Sequence, residues 1–216
     1  MELKYFEEQL FFATVRIQVA TSPGVGASIG TGFIFLAELT PEKHCLLLIS
    51  NKHVYEDPKK PISLVFHKAD KDKKGFPKLG DTVTLAGSEF DSIYTEHPDP
   101  QIDLACVNIS RIGNPDVEVF YKTVPAEFLS GFDEERLLPG NDVWFVGYPE
   151  NRYDTVHNLP IMRRGYVASI PKIDFQNRKQ FLIDAQVFPG SSGSPVFTSI
   201  AGKMTLIGVV AQTMIK

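Results

Sequence analysis

The sequence predicts an all-β protein built as two antiparallel barrels. Three observations carry this. Helical periodicity is almost absent. Short runs of Val, Ile, Leu, Phe and Thr recur along the chain, broken by Gly, Pro, Asn and Asp, as strands and their turns require. These runs fall into two sets, separated by a stretch over 111–139 that carries Pro115, Pro125 and Pro139. Many short strands in two sets point to two packed barrels rather than one sheet covered by helices.

In the first set, six runs read as strands: 9–20, 29–39, 44–50, 62–67, 82–87 and 103–109. The intervening stretch reads as linker, with one short strand over 117–122. The second set has five runs: 142–148, 160–170, 181–187, 194–198 and 204–213. The division falls between 1–124 and 125–216. The Lys-rich stretch 68–78 also contains Asp70 and Asp72 and reads as a solvated loop. The glycines of Gly24-Val25-Gly26-Ala27-Ser28-Ile29-Gly30-Thr31-Gly32 suggest a phosphate loop. However, no Gly-Lys-Ser/Thr follows and the next residues, Phe33-Ile34-Phe35-Leu36, are strand-like. The segment reads as a hairpin connection.

Composition excludes several classes. Of 216 residues, 43% are hydrophobic and 22% charged, and the formal net charge is −4. A chain of this charge has no basic footprint for nucleic acid or an anionic membrane. No run approaches the roughly 18 apolar residues of a membrane span. Glu2, Glu7 and Glu8 stand where a signal peptide needs an apolar core. The two cysteines, Cys45 and Cys106, lie in apolar strand contexts and read as reduced core thiols. A cytoplasmic protein without a cleaved leader is the expectation. Neither the cysteines nor the histidines have metal-ligand spacing, so no metal and no cofactor is expected.

Three motifs carry chemistry. Phe188-Pro189-Gly190-Ser191-Ser192-Gly193-Ser194-Pro195 sets a hydroxyl on a glycine-flanked turn, where the N–H groups of Gly190 and Ser192 can converge as an oxyanion hole. The bland alternative is a Ser/Gly-rich hairpin loop. Ile49-Ser50-Asn51-Lys52-His53-Val54 places His53 just past an apolar strand, and imidazole can take and return a proton near neutrality. The other four histidines read as surface or satisfied core residues. Ile102-Asp103-Leu104-Ala105 puts a carboxylate at the mouth of an apolar strand, where burial demands a partner. Asp99 is the nearby alternative.

The order His53, Asp103, Ser192, with these motifs, resembles the chymotrypsin-fold (trypsin-like) serine peptidases. It is nearest the bacterial, disulfide-free branch that includes the high-temperature-requirement proteases and the glutamyl endopeptidases. The family's Gly-x-Ser-Gly-x-Pro lies on Gly190, Ser192, Gly193 and Pro195, its His-Val on His53 and its Asp-Leu-Ala on Asp103. The resemblance spans the chain from about residue 9 onward. It implies two six-stranded Greek-key barrels with the site between them. It also implies Ser192 as nucleophile, His53 as general base, Asp103 as its orienting carboxylate, and a peptide or protein substrate. The other reading is a trypsin-like domain that is idle or partner-activated and serves binding or regulation.

The chain departs from the family at the implied substrate pocket, Gln186, Val187, Phe188, Ala211, Gln212 and Thr213. Ser191 stands where digestive enzymes carry an Asp, and Gln186 where trypsin has its specificity acid. The histidine of glutamyl endopeptidases is missing from 208–213. A neutral, small or apolar substrate side chain is therefore expected. Arg163 and Arg164 read as exposed strand charges, with recognition of an acidic substrate side chain as the other reading. With five runs in the second set, the second barrel lacks its last strand. A longer protein, a regulatory partner or a further domain beyond residue 216 is expected to supply it.

Overall fold

The structure is a computed structural model that describes residues 2–20, 27–111, 117–131 and 134–212. A short helix, α1 (Phe6–Ala13), leads into β1 (Thr14–Ala20), β2 (Ala27–Thr40) and β3 (Lys43–Ser50). One helical turn, α2 (Lys52–Tyr55), precedes β4 (Ile62–Ala69), β5 (Pro77–Gly87), β6 (Tyr94–Glu96) and β7 (Ala105–Asn108). Two short strands follow, β8 (Val119–Phe120) and β9 (Val124–Pro125). The second half holds β10 (Asp142–Gly147), β11 (Ile161–Val167), β12 (Ile183–Ala185), β13 (Pro195–Ile200) and β14 (Lys203–Val209).

The strands form two sheets. A nine-stranded sheet runs β5-β4-β1-β2-β3-β7-β6, with β8 on β4 and β9 on β2. Apart from the parallel β2–β9 pair, its ladders are antiparallel. Both ends of its path, β5 through Val83 and Leu85 and β6 through Tyr94, pack on one core with Ile17, Leu48, Tyr55 and Phe90. The sheet is therefore rolled around that core. A five-stranded antiparallel sheet runs β12-β11-β10-β13-β14 over Val143, Phe145, Val167 and Val196. Its ladder does not close among the described residues. This is the two-barrel architecture expected, with both barrels open.

A third apolar cluster lies between the sheets: Phe33 and Phe35 of β2, Val124 of β9, Val146 of β10, Phe197 of β13 and Leu206 of β14, with Leu10 and Ala13 of α1. It joins the two halves that must meet to form a cleft.

Some expectations are corrected. Residues 9–13 are helix, not the start of the first strand. Phe6, Leu10 and Ala13 recur at helical spacing and face the middle cluster, and Phe6 stacks on Phe128 at 4.4 Å. Glu8 accepts the N–H groups of Lys4 and Tyr5 at the free helix start. β5 begins at Pro77 rather than 82, because its pairing with β4 shifts register after His67, with Gly80 at φ 76°. Lys68 and Lys78 thus sit on strands and both pair with Asp81. Gly30 and Gly32 lie inside β2 rather than in a hairpin connection; residues 24–26 of that segment lie outside the described residues. Asp103 precedes β7 rather than opening it. Cys45 and Cys106 are free thiols, half-buried on β3 and β7. Among the described residues no helix is long and apolar enough to cross a membrane.

Candidate active site

His53 sits on α2, and its neighbours explain its placement. Val54 and Tyr55 are buried in the first core, and the Tyr55 hydroxyl donates to the Leu48 carbonyl at 2.6 Å. With two residues plugged inward, His53 is left facing out. Its Nδ1–H donates to Asp103 Oδ2 at 2.6 Å, since a carboxylate can only accept. The backbone N–H of His53 donates to Asp103 Oδ1 at 3.2 Å. The buried Asn51 side chain donates to the Asp103 carbonyl at 2.7 Å and so ties the segment before β7 to the turn before α2. The side chains of His53 and Asp103 are 51% and 37% exposed, so the carboxylate is half-exposed, not the buried group the motif suggested. Asp99, the alternative acid, caps a turn by accepting the Gln101 N–H at 2.9 Å.

Ser192 lies in the turn between β12 and β13. Gly190 and Gly193 have φ of 88° and 87°, where a side chain is strained. A Cβ at Gly193 would also overlap the Thr31 carbonyl and the Ser50 hydroxyl, which is how closely the turn lies on the first half of the chain. Ser191 and Ser194 are buried, at 1% and 0% exposure, whereas Ser192 is half-buried. Of the three adjacent hydroxyls, Ser192 is the one a probe can reach.

The turn is held by its carbonyls. Phe188 C=O accepts the Ser191 N–H at 3.0 Å, Pro189 C=O accepts from Glu150 N–H, and Ser191 C=O accepts the Ser194 N–H at 3.0 Å. Gly190 C=O accepts the Thr31 hydroxyl at 2.7 Å, and Ser192 C=O accepts the Thr31 N–H at 2.9 Å. A peptide's N–H points opposite its C=O. Anchoring Pro189 and Ser191 through their carbonyls therefore turns the N–H groups of Gly190 and Ser192 the other way. Neither N–H donates to another described residue.

Thr31 was missed in the sequence, where Gly30-Thr31-Gly32 looked like turn chemistry. It is fully buried on β2 and makes three hydrogen bonds to the second half of the chain and one to β3 beside it. Besides the two to the turn, its hydroxyl accepts the Tyr148 N–H at 3.0 Å and its carbonyl accepts the Ser50 hydroxyl at 2.6 Å. A threonine between two glycines inside an apolar strand is the one signal that could have pointed to it.

Of the expected pocket residues, Val187 packs on the second core. Gln186 is exposed and Phe188 half-buried, directly before the Ser192 turn. Val210 pairs with that turn: Gly193 N–H donates to its carbonyl at 2.8 Å and its own N–H donates to Ser194 C=O at 2.9 Å. Ala211 is half-buried and Gln212 exposed, directly after Val210, and Thr213 lies outside the described residues. Among the described residues, no hydrogen bond joins the Ser192 hydroxyl to His53. Such contacts are often long without substrate and tighten when it binds. Among the described residues no group of three or more His, Cys, Asp or Glu side chains is gathered as a metal site needs.

Over residues 30–209 the chain matches the model of the trypsin-like peptidase domain. Among solved structures it is similar to Rv3671c from M. tuberculosis H37Rv, a serine-to-alanine mutant in an inactive form. The identity is 18% and the TM-score 0.51, over 95% of this chain and 77% of that one. At that identity the likeness speaks for the fold. No curated protein matches the chain. The family model spans the segments that hold His53, Asp103 and the Ser192 turn, and on that match this chain belongs to the trypsin-like peptidase domain family.

Proposed function

We propose that the chain is a serine endopeptidase that hydrolyses peptide bonds through an acyl intermediate on Ser192. The observation that supports this best is the 2.6 Å His53–Asp103 contact, together with a turn whose Gly190 and Ser192 amides donate to no other described residue. His53 Nε2 takes the Ser192 proton as Oγ attacks the substrate carbonyl. The Gly190 and Ser192 N–H groups receive the negative charge that develops on the carbonyl oxygen. Asp103 holds the imidazole with Nδ1 protonated and stabilises the imidazolium without taking its proton. The imidazolium then protonates the leaving amine, and a water molecule activated by the same imidazole releases the acyl group. In this reading residues 1–124 supply base and acid, and 125–216 supply the nucleophile and the oxyanion donors.

A serine-reactive fluorophosphonate tests the assignment. Mass spectrometry should place its adduct on Ser192. No adduct on the purified chain counts for an idle or partner-activated domain. An adduct on Ser191 or Ser194 overturns the register.

A further inference from the structure

Arg163 and Arg164 are neighbours on β11, and the structure uses them differently. Arg164 is exposed and paired, its Nη2 donating to Asp142 Oδ2 at 2.7 Å. Arg163 is half-buried, and its guanidinium lies 4.5 Å from the centroid of the Phe188 ring. Its Nη1 donates to the Gln186 carbonyl at 2.7 Å, and its Nε is buried without a partner. Among the described residues no carboxylate forms an ion pair with it. Glu150 is close enough to be felt but is already paired with Arg152 at 3.1 Å. Burial pushes the Arg163 guanidinium below its ordinary value, with Glu150 acting in the opposite sense.

A guanidinium that has lost water and gained no carboxylate is left with an unmet demand for an anion. None of its three nitrogens has a charged partner among the described residues: Nη1 has used one of its hydrogens on a neutral carbonyl, and Nη2 and Nε donate to no described residue. Stacking on Phe188 fixes the plane of the group in advance. That plane is held by Gln186–Phe188, the wall that runs directly into the Ser192 turn.

We infer that Arg163 reads an acidic side chain, Asp or Glu, on the substrate residue just N-terminal to the scissile bond. This rests on the reading of Ser192 as nucleophile, and it replaces the neutral side chain that the missing pocket acid and histidine suggested. A carboxylate there gains charge-assisted, forked hydrogen bonds that an amide of the same shape does not.

The experiment is a set of fluorogenic peptides that differ only at that residue, carrying Glu, Gln, Asp, Asn, Lys or Ala. With the full chain, kcat/KM for Glu should exceed that for Gln about 10- to 100-fold. Arg163→Gln should bring the ratio near one, Arg163→Lys should keep part of it, and Arg164→Gln should leave it at the wild-type value. A wild-type ratio near one overturns the inference, as does a ratio that survives Arg163→Gln. A second arm needs no turnover. Ser192→Ala protein should bind the Glu peptide at least about 10-fold more tightly than the Gln peptide in fluorescence anisotropy, and equal affinity overturns the inference. The two arms separate the readings. Fluorophosphonate labelling without a Glu preference sinks the role of Arg163 alone. Glu-selective binding without labelling or turnover sinks the endopeptidase reading and supports Arg163.

Discussion

His53 and Asp103 meet through side chains and face solvent. The Ser192 turn is held through backbone carbonyls among buried neighbours. The first arrangement hangs on two contacts to one carboxylate, 2.6 and 3.2 Å long. The second spreads over five carbonyls, two of them accepting from Thr31. The contrast follows from what each half does in the proposed reaction. An imidazole that takes and returns a proton must be reached by both substrate and water, and exposure leaves it open to them. Oxyanion donors must point one way throughout, so their peptide planes are best fixed before substrate arrives. Damage to the first half should remove a chemical role while the fold stands. Damage to the second should blur geometry and lower stability together.

The largest effect comes from removing the nucleophile. Ser192→Ala should abolish fluorophosphonate labelling and lower turnover by about 10⁶, with residual catalysis from the oxyanion donors and binding. Ser191→Ala and Ser194→Ala should still label, since both hydroxyls are buried.

Asp103→Asn comes next. The amide keeps the shape of the carboxylate but favours the wrong imidazole tautomer, and turnover should fall by about 10⁴. Because the side chain is 37% exposed, the thermal midpoint should hardly move. A large drop in melting temperature with little loss of turnover would reverse the picture of the exposed half.

Thr31→Val breaks the other half. It keeps the shape and the backbone N–H to Ser192 C=O, but strips the hydroxyl from Gly190 C=O and from the buried Tyr148 N–H. Leaving buried polar groups unpaired costs about 1–3 kcal/mol each, so turnover should fall about 10- to 100-fold and stability should fall with it. Thr31 acts through the turn rather than on substrate, so Thr31→Ser, which keeps the hydroxyl, should restore most of both. If Thr31→Ser behaves like Thr31→Val, the hydrogen bonds are not what holds the turn.

The parts of this site that could be read from the chain are those whose residue type is dictated locally. Gly190 and Gly193 are needed because φ is positive on both sides of Ser192. Val and Ile runs mark strands because they pack on a pleated face. Thr31 was not legible in the same way, and Arg163 could not be told from Arg164, because their settings come from partners more than 20 residues away: Gly190 and Tyr148 for Thr31, Gln186 for Arg163. Residues 9–13 of the helix were misread because their aromatic and apolar residues have strand character, and only the facing cluster settles which period counts. Gly80 and Pro77 concealed the first part of β5 for the opposite reason. They look like strand breakers, yet Pro77 pairs with Ala69 and Gly80 lies in the bulge where the register shifts.

The smallest expected effect concerns a second histidine in the first half. Where His53 is exposed, His67 on β4 is buried, tilted against Phe12 at 4.9 Å, and its Nε2–H donates to the His157 carbonyl at 2.7 Å. Burial lowers its pKa, partly countered by that carbonyl. The folded state thus binds this proton less readily than the unfolded chain does. Its contribution is fully present above the unfolded value of roughly 6.5 and is lost as pH falls through that value toward the lower folded one. The urea midpoint of the wild-type chain should therefore decline as pH is lowered from about 7 toward the acid side of that window. His67→Gln keeps an N–H donor for His157 C=O but cannot titrate, and should flatten the decline there. If the decline survives His67→Gln unchanged, the buried imidazole is not its source, and the scaffold side of the contrast does not carry this pH dependence.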